Sequence, residues 1–267
     1  MVKGLLETEG GSHLWTGYPG SPVAGFFDTI ERIAEIPKHY GIRAVLAHNE
    51  ALSVAMLNGS QMLGLRAIAV MKSVGVHVAS DALALGNLGG AHPDGGVIVV
   101  MGDDPWSDST QVPSDSRYLA KHLHMPVLEP SSNQEIKDWI DVGFKLSREA
   151  ELYIGYLITT NQADGGGSVR VRRNNLPRVN TNNPVDLDTS KVDFENKVLL
   201  PPRTWRKERD FLARYKRLWA SAERYNVDRM TLPAAAKPGV KFRYAFVSSA
   251  LAFSYLEHAL AEMGLVD

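Results

Sequence analysis

The stretch VLAHNEALSVAMLNGSQMLGLRAIAVMK, residues 45–72, holds two short apolar runs separated by a run of helix-forming residues. The apolar runs, Ala44–Ala47 and Ala67–Met71, are continuous rather than alternating, which is typical of parallel strands covered on both faces. Glu50–Leu63 lies between them and has the length and composition of a helix. The stretch therefore predicts a strand–helix–strand unit of a parallel sheet.

The same alternation continues along residues 1–160. Further strands are predicted at Val97–Met101, Val127–Leu128 and Tyr153–Thr159, and further helices at Val23–His39, Val76–Leu88, Ser116–Leu123 and Gln134–Arg148. Strands and helices that alternate at this spacing indicate a doubly wound, mainly parallel α/β sheet. Such sheets bind their ligands beyond the carboxyl ends of the strands.

The chain changes character after residue 160. Residues 161–240 are rich in Gly, Asn and Pro and predict an extended linker that carries one amphipathic helix, residues 204–225. Residues 241–267 predict the first strand–helix unit of a second α/β domain. Because one strand cannot form a sheet, either the chain is a fragment or these last elements complete another sheet.

The composition limits the classes of function. The 267 residues carry a formal net charge of −1 and include no cysteine. Disulfides are excluded, and so is a zinc or iron–sulfur site built on this chain's own thiolates. The charge gives no support for binding to nucleic acid or to a membrane surface. No apolar run reaches transmembrane length and the first residues lack a signal-like core, so we expect a cytoplasmic protein.

Glu50 stands where a buried strand gives way to a helix, and it has two interpretations. Asn49 is a good helix N-cap, and an acid in the first turn favours the helix dipole, so Glu50 can be a helix-start charge alone. It can also be a catalytic acid held in an apolar cleft. The second interpretation needs other polar groups at the same edge, and Met71-Lys72-Ser73-Val74-Gly75 and Gly102-Asp103-Asp104-Pro105 follow two further strands.

Three more side chains have two interpretations each. Ser21, after the tight turn at Pro19-Gly20, is either a helix N-cap or a hydroxyl that touches a ligand. Arg117 is either a fork for an anionic group or a surface ion pair with Asp115 or Asp108. His77 is either polar lining of a site or a satisfied, semi-buried histidine.

The Gly102-Asp103-Asp104 sequence resembles the start of a magnesium-binding motif. That motif also needs an Asn further along the same loop system. The first Asn-Asn pair, Asn174-Asn175, lies too far along the chain. We therefore expect Asp103 and Asp104 to cap and order their loop, and we place no metal ligand on this chain.

Taken together, three segments carry a resemblance to a known family: GYPGSP, HNEALSVAMLNGSQMLGLRAIAVMKSVGVHVASDAL, and GGVIVVMGDDPWSDSTQVPSDSRYLAKHLHMPVLEPSSNQE. They are similar to the alpha subunits of the indolepyruvate:ferredoxin oxidoreductases, a branch of the thiamine-diphosphate-dependent 2-oxoacid:ferredoxin oxidoreductases. The match runs in unbroken order from about residue 11 to residue 160. The later KFRYAFVSSALAFSYLEHALAEMG looks like the start of the family's next domain, which is transketolase-C-like.

The resemblance implies a pyrimidine-type domain that binds the aminopyrimidine ring of thiamine diphosphate. It places the catalytic, ring-activating glutamate at Glu50, because a carboxyl group in an apolar cleft can share a proton with a ring nitrogen. It implies further residues by role: cofactor-binding Pro19, Gly20, Val74, Gly75 and His77, and substrate-binding Ser21, Lys72 and Arg117.

The resemblance also implies partners. The cofactor lies between two domains, so a diphosphate-binding domain or subunit must bring Mg²⁺, the diphosphate grip and the [4Fe–4S] clusters. The implied reaction is oxidative decarboxylation of a 2-oxo acid to its acyl-CoA, with coenzyme A as acyl acceptor and ferredoxin or another carrier as electron acceptor. The implied assembly is a dimer of heteromers.

The sequence departs from the family pattern at the expected substrate end. MKSVGVH stands where the family commonly has MKHVGLN, which places Ser73 and His77 at two changed positions, and SDSTQVPSDSR also differs. Indolepyruvate and another aryl or branched 2-oxo acid both remain open as substrates. Two other functions remain open as well: a non-oxidative 2-oxo-acid decarboxylase subunit and a non-catalytic scaffold.

Overall fold

The computed structural model describes residues 1–184, 188–232, 239, 241 and 244–265. In these residues the chain forms one six-stranded, all-parallel sheet with the strand order β2-β1-β3-β4-β6-β5. The strands are β1 Leu14–Gly17, β2 Arg43–Leu46, β3 Arg66–Lys72, β4 Gly96–Asp103, β5 Val127–Leu128 and β6 Ile154–Thr159. The predicted doubly wound, parallel α/β fold is confirmed.

The helices of the described residues connect and cover these strands. They are α1 Val2–Glu7, α2 Gly25–Arg32, α3 Glu35–His39, α4 Glu50–Ser60, α5 Ser73–Val78, α6 Ser80–Gly89, α7 Ser116–His122, α8 Asn133–Ala150, α9 Thr160–Asp164, α10 Phe194–Lys197, α11 Arg203–Arg209, α12 Phe211–Arg224 and α13 Ala250–Glu262, with a 3₁₀ turn at Thr189–Lys191. Within these residues no helix combines the length and the apolar character needed to cross a bilayer.

Within residues 1–160, two helices predicted as continuous are each formed as two. The helix expected at Val23–His39 breaks after Arg32 because Pro37, inside α3, would clash with the carbonyl of Ile33 and leave it without a hydrogen-bond donor. The helix expected at Val76–Leu88 begins earlier, at Ser73, and is interrupted at Ala79. Strand β1 and helix α1 were not predicted.

The sheet is buried on both faces by two apolar layers. Ile68 and Val70 of β3 pack with α1, α2, α8 and α12, whereas Ala67, Ala69 and Met71 pack with helices of the α4–α7 layer. All five side chains are fully buried, which explains why this strand reads as a continuous apolar run. Each fully buried large aliphatic side chain stabilises the fold by about 1.5–3 kcal/mol.

The described part of the predicted linker wraps around this domain. Asn175 donates its side-chain amide to the carbonyl of Glu7, and Thr181 donates its hydroxyl to the carbonyl of Gly41, so the segment is fastened to the amino-terminal part of the domain. The predicted amphipathic helix is present as α11 and α12, and α12 packs on α8 through buried Leu218 and Ser221.

The last described helix, α13, touches the carboxyl edge of the sheet. The hydroxyl of Ser249 donates to Glu129 over 2.9 Å, and that of Ser254 donates to the carbonyl of Ser131 over 3.4 Å. The strand predicted before this helix is not formed in residues 244–249, and residues 242–243 and 266–267 lie outside the described part. The proposed second domain therefore stays a prediction.

His13 is a buried, neutral histidine at the amino end of β1. It is 3% exposed, and its Nδ1 accepts the backbone N–H of Arg66 over 3.1 Å. Burial and the nearby Arg66 charge lower the pKa of His13 to about 4. In an unfolded chain its pKa is close to 6.5, so the unfolded state takes up a proton first as the pH falls.

We predict that His13 makes the fold sensitive to mild acid. Stability is full above pH 6.5 and is lost as the pH falls toward 4, by about 3 kcal/mol in the free energy of unfolding. In His13→Asn, an amide oxygen can accept the same N–H and no proton is taken up, so the loss between pH 7 and pH 5 should shrink. Urea unfolding at pH 7 and at pH 5 measures the free energy of unfolding at each pH. The exposed substitution His122→Asn is the control. Equal pH dependence in all three proteins would refute the role of His13.

Candidate active site

The carboxyl edge of the sheet gathers the polar loops that the sequence singles out. The turn Tyr18–Pro22 follows β1, Glu50 follows β2, and α5 begins directly after β3. The chain order reverses between β1 and β3, because β1 leads outward to β2 and the chain then returns to β3 on the other side of β1. This switch point is where a doubly wound sheet leaves a crevice for a ligand.

Glu50 is the first residue of α4 and is not the cap of that helix. The cap is Asn49, whose Oδ1 accepts the backbone N–H of Leu52 over 2.8 Å. Glu50 is 8% exposed, and its carboxylate has no hydrogen bond or ion pair with any described residue. The Glu50 carboxylate is therefore free to contact a bound group, besides standing at the helix start.

Gly75 of α5 lies directly against this carboxylate. A Cβ atom at Gly75 would stand 2.4 Å from Oε1 of Glu50 and 2.7 Å from its Cγ. Only a glycine lets the α5 backbone and the Glu50 side chain approach this closely. The structure therefore brings together two of the residues that the resemblance implies.

The other implied residues of α5 take different places. Val74 is half-buried beside Gly75, whereas His77 is exposed and makes no hydrogen bond within the described residues. The interpretation of His77 as a satisfied, semi-buried histidine is therefore wrong. Its role in binding the cofactor stays a prediction.

Lys72 crosses the turn that follows β1. A Cβ atom at Gly20 would lie 2.7 Å from Cδ of Lys72, so the lysine stem packs on this glycine, next to exposed Pro19. The Lys72 ammonium makes no hydrogen bond or ion pair within the described part of the chain. A cation at this edge is thus available to an anionic group.

Ser21 does not cap a helix, so that interpretation is wrong. Helix α2 begins at Gly25 with Ala24 at the cap position, and no side chain caps it. Instead, the hydroxyl of Ser21 donates to the hydroxyl of Ser109 over 2.9 Å and links the turn after β1 to the loop after β4.

Asp104 and Asp103 organise that loop, as predicted. Asp104 is fully buried and accepts the backbone N–H groups of Asp108, Ser109 and Thr110 over 2.9, 2.7 and 2.8 Å. Burial raises the pKa of Asp104, but these N–H donors outweigh it and hold the pKa at about 2. Asp103 accepts the N–H of Ser116 over 2.8 Å at the start of α7, and burial raises its pKa.

Arg117 forms the ion pair that the sequence left as one of its two interpretations. Its Nε and Nη2 donate to the two oxygens of Asp115, both over 2.8 Å, and its Nη1 lies 3.6 Å from Glu129. The hydrogen bond to Asp115 raises the pKa of Arg117. The three side chains line a cavity of about 210 Å³ that α13 borders through Ser249.

Of two buried hydroxyls in this region, Thr16 escaped the sequence analysis, and Ser73 was named there only as a changed position. Thr16 of β1 and Ser73 of α5 are each 1% exposed, and neither hydroxyl oxygen has a hydrogen-bond partner among the described residues. Buried polar atoms are nearly always paired, so a ligand or water is expected to serve them. Thr16 carried a weak signal, as a hydroxyl residue just before the GYPGSP turn.

The described residues contain no group of three or more His, Asp or Glu side chains arranged to hold a metal ion. Among the described residues, this edge offers one unpartnered carboxylate, one free ammonium and several hydroxyls.

No family model matches the chain. Comparison with known proteins nevertheless finds relatives that share one name, indolepyruvate oxidoreductase subunit IorA. The chain is 29% identical over 265 residues to indolepyruvate oxidoreductase subunit IorA of Pyrococcus horikoshii. It is 34% identical over 150 residues to subunit IorA of Archaeoglobus fulgidus, a match that covers 56% of this chain and 23% of that protein.

The chain resembles indolepyruvate oxidoreductase subunit IorA. The resemblance that its motifs carry is thereby confirmed, and the P. horikoshii match covers 99% of this chain but only 39% of that protein. Among solved structures, a 2-oxoglutarate:ferredoxin oxidoreductase from Magnetococcus marinus superposes with a TM-score of 0.59 at 13% identity. That match covers 99% of this chain and 50% of the other, and it supports the fold.

We predict that Asp104 holds the loop that Ser21 contacts. In Asp104→Asn the amide nitrogen faces backbone N–H donors and cannot accept from them, so the loop should loosen while the sheet stays folded. Hydrogen exchange at the amides of Asp108, Ser109 and Thr110 should become at least tenfold faster, whereas amides of β3 and β4 keep their protection. Asp108→Asn, an exposed change in the same loop, is the control and should leave exchange at Ser109 and Thr110 unchanged.

Proposed function

We propose that this chain supplies the aminopyrimidine-binding part of a thiamine-diphosphate-dependent 2-oxoacid oxidoreductase of the IorA kind. The enzyme converts an aryl 2-oxo acid such as indolepyruvate and coenzyme A into an acyl-CoA and carbon dioxide, and ferredoxin takes the two electrons. One observation carries the proposal: Glu50 is a buried carboxyl group at the switch point of the sheet, and no residue in the described part of the chain pairs with it.

The residues at this edge fit an aminopyrimidine ring. Such a ring is flat and carries ring nitrogens and an exocyclic amine, so it needs a proton-sharing acid and polar groups along its edge. Glu50 provides the acid, and Gly75 leaves the backbone bare beside it. The unpaired hydroxyls of Thr16 and Ser73 provide further polar groups in the same layer of the structure.

When bound, thiamine diphosphate supplies an electron sink for decarboxylation of the 2-oxo acid. Glu50 would hold a proton at its carboxyl group and would share it with a ring nitrogen of the bound aminopyrimidine.

The cations of the edge would bind the substrate carboxylate. Lys72 has no carboxylate partner within the described residues, whereas Arg117 must release Asp115 before it can bind another anion. We infer that Lys72 binds the substrate carboxylate first. Arg117 then binds the same carboxylate after it has released Asp115. Ser21 and the changed positions Ser73 and His77 would help to choose among aryl and branched 2-oxo acids.

The remaining parts of the enzyme belong to a partner. The chain spans about 39% of the length of the first curated relatives it matches and contains no cysteine. A partner domain or subunit would therefore bring Mg²⁺, the diphosphate grip and the [4Fe–4S] clusters, in a cytoplasmic dimer of heteromers.

We predict that Glu50→Gln lowers the activity of the assembled complex at least a hundredfold, because the amide cannot exchange a proton with the ring. The assay follows 2-oxo-acid-dependent reduction of ferredoxin in the complex that co-purifies with this chain. Thiamine diphosphate binding, measured by calorimetry, should change far less than the turnover. Exposed Glu31→Gln is the matched control and should keep full activity. Nearly unchanged turnover of Glu50→Gln would favour the scaffold function instead.

We predict that Gly75→Ala lowers the activity of the assembled complex without unfolding the chain. The added methyl group would push the flexible Glu50 side chain away from α5, because the backbone of α5 has less freedom to move. We expect at least a tenfold loss in turnover with a melting temperature within about 3 °C of wild type. Gly59→Ala in α4 meets nothing within 4 Å and should stabilise its helix by about 0.5–1 kcal/mol with full activity. Full activity of Gly75→Ala would show that the close approach to Glu50 is unimportant.

A further inference from the structure

A cavity of about 630 Å³ lies at the amino edge of the sheet. Its walls include His92, which precedes β4, and Glu151, which precedes β6, together with residues of α10, α11 and α12. Strand β3 has seven residues, so about 20 Å of sheet separates this edge from the Glu50 crevice. The cavity is therefore distinct from the candidate active site.

Three cations line this cavity, one on each of the three helices. They are Lys197 of α10, Lys207 of α11 and Arg214 of α12, and we name them the Lys–Lys–Arg cluster. The two lysines are half-buried, and Arg214 is 3% exposed. Within the described residues, no carboxylate forms an ion pair with any of the three.

Arg214 is a buried cation that the described residues do not neutralise. Its guanidinium donates to the backbone carbonyls of Asn87, Leu88 and Glu151, and its Nε has no hydrogen-bond partner among the described residues. Burial lowers the pKa of Arg214 to about 10, although the charge of Glu151 opposes this. A buried charge is costly without a counter-charge, and an anion in the cavity would supply one.

The two lysines of the cluster are close enough to other cations to be affected by them. Burial and then the charge of Lys207 lower the pKa of Lys197. Burial and then the charge of Arg214 lower the pKa of Lys207, and the carboxylates of Glu151 and Asp210 do not offset this. The wall formed by the three helices therefore favours an anion.

Four carboxylates also line the cavity, but they are engaged elsewhere or exposed. Glu151 lies 3.1 Å from Nη2 of Arg217, and Asp193 caps the start of α10. Asp94 and Asp210 are exposed, so water and salt screen their charge. The Lys–Lys–Arg cluster thus keeps its positive charge available to a ligand.

We propose that the Lys–Lys–Arg cluster binds the phosphate group of a small molecule. Two ammonium groups and a guanidinium suit a multivalent oxyanion, and lysine and arginine are common phosphate ligands. The volume of the cavity is in the range of small-molecule sites. Because the three cations belong to three helices, the bound phosphate fastens α10 and α11 to α12 and, through Arg214, to the sheet.

Hydrogen exchange of the complex that co-purifies with this chain tests the proposal, with inorganic diphosphate as the probe. A ligand that binds only the closed state slows exchange through opening, so amides of α10, α11 and the first turn of α12 should exchange about tenfold more slowly at ten times Kd. Their rate should fall to half below about 1 mM diphosphate, at an ionic strength held constant with potassium chloride. No slowing up to about 10 mM would overturn the proposal.

Lys207→Gln tests the cluster directly. Lys207 makes no hydrogen bond or ion pair within the described residues, so the variant should fold normally. It should need at least ten times more diphosphate for the same slowing of exchange. The matched control is Lys216→Gln, which removes an exposed positive charge from α12 and should stay within twofold of wild type. Equal effects of the two substitutions would overturn the proposal.

Two further probes identify the source of the phosphate. Slowing by ADP at a concentration at least threefold lower than that of diphosphate supports an organic phosphate, whereas equal or weaker slowing by ADP supports an inorganic one. The competing occupant is an acidic segment of a partner subunit. Such a segment would make these amides of the complex insensitive to every phosphate probe, which would overturn the proposal. None of these readouts uses turnover, so they are independent of the proposed function.

Discussion

The close contact between β1 and β3 is the constraint on which the rest of the molecule depends. Gly17 ends β1 with φ near 143°, and a Cβ atom there would stand only 2.0 Å from the carbonyl oxygen of Val70. Only glycine allows this approach together with the turn that follows. Because β1 pairs with both β2 and β3, the loops after these three strands converge. That convergence is what places α4 beside α5 and the Glu50 carboxylate against Gly75.

The described residues of the domain include four buried carboxylates, on Glu7, Glu50, Asp103 and Asp104, and Glu50 stands out among them. Burial raises the pKa of Glu7, but Lys137, Arg172 and Lys3 surround it and lower the pKa to about 2. Asp104 is satisfied by three backbone N–H groups. Both are structural acids, because the protein supplies their partners. Asp103 accepts from Ser116, so Glu50 is the one of the four that the described residues leave without a partner, and its carboxylate is free to contact a ligand.

The sequence predicted most of the sheet because strands buried on both faces are continuous apolar runs. It missed β1 because LWTG is short and includes a threonine and a glycine, and it missed α1 because VKGLLE contains a helix-weakening glycine. Glu50 and Gly75 could be predicted from their places after strands. The ion pair of Arg117 with Asp115 was one of two interpretations that the sequence left open. The contact of Ser21 with Ser109 could not be predicted, because it depends on the path of residues 105–115, which local pattern does not determine.

The positions of the two surfaces suggest how the chain can serve in an assembly. The Glu50 crevice lies at the carboxyl edge of the sheet, where the partner domain of the proposed function would approach. The α11–α12 segment is fastened through Arg214 to the carbonyls of Leu88 and Glu151, which precede β4 and β6 and so lie at the amino edge. A partner that closes the crevice would therefore leave the outer face of α11 and α12 free, because the crevice and this segment lie at opposite edges of one sheet.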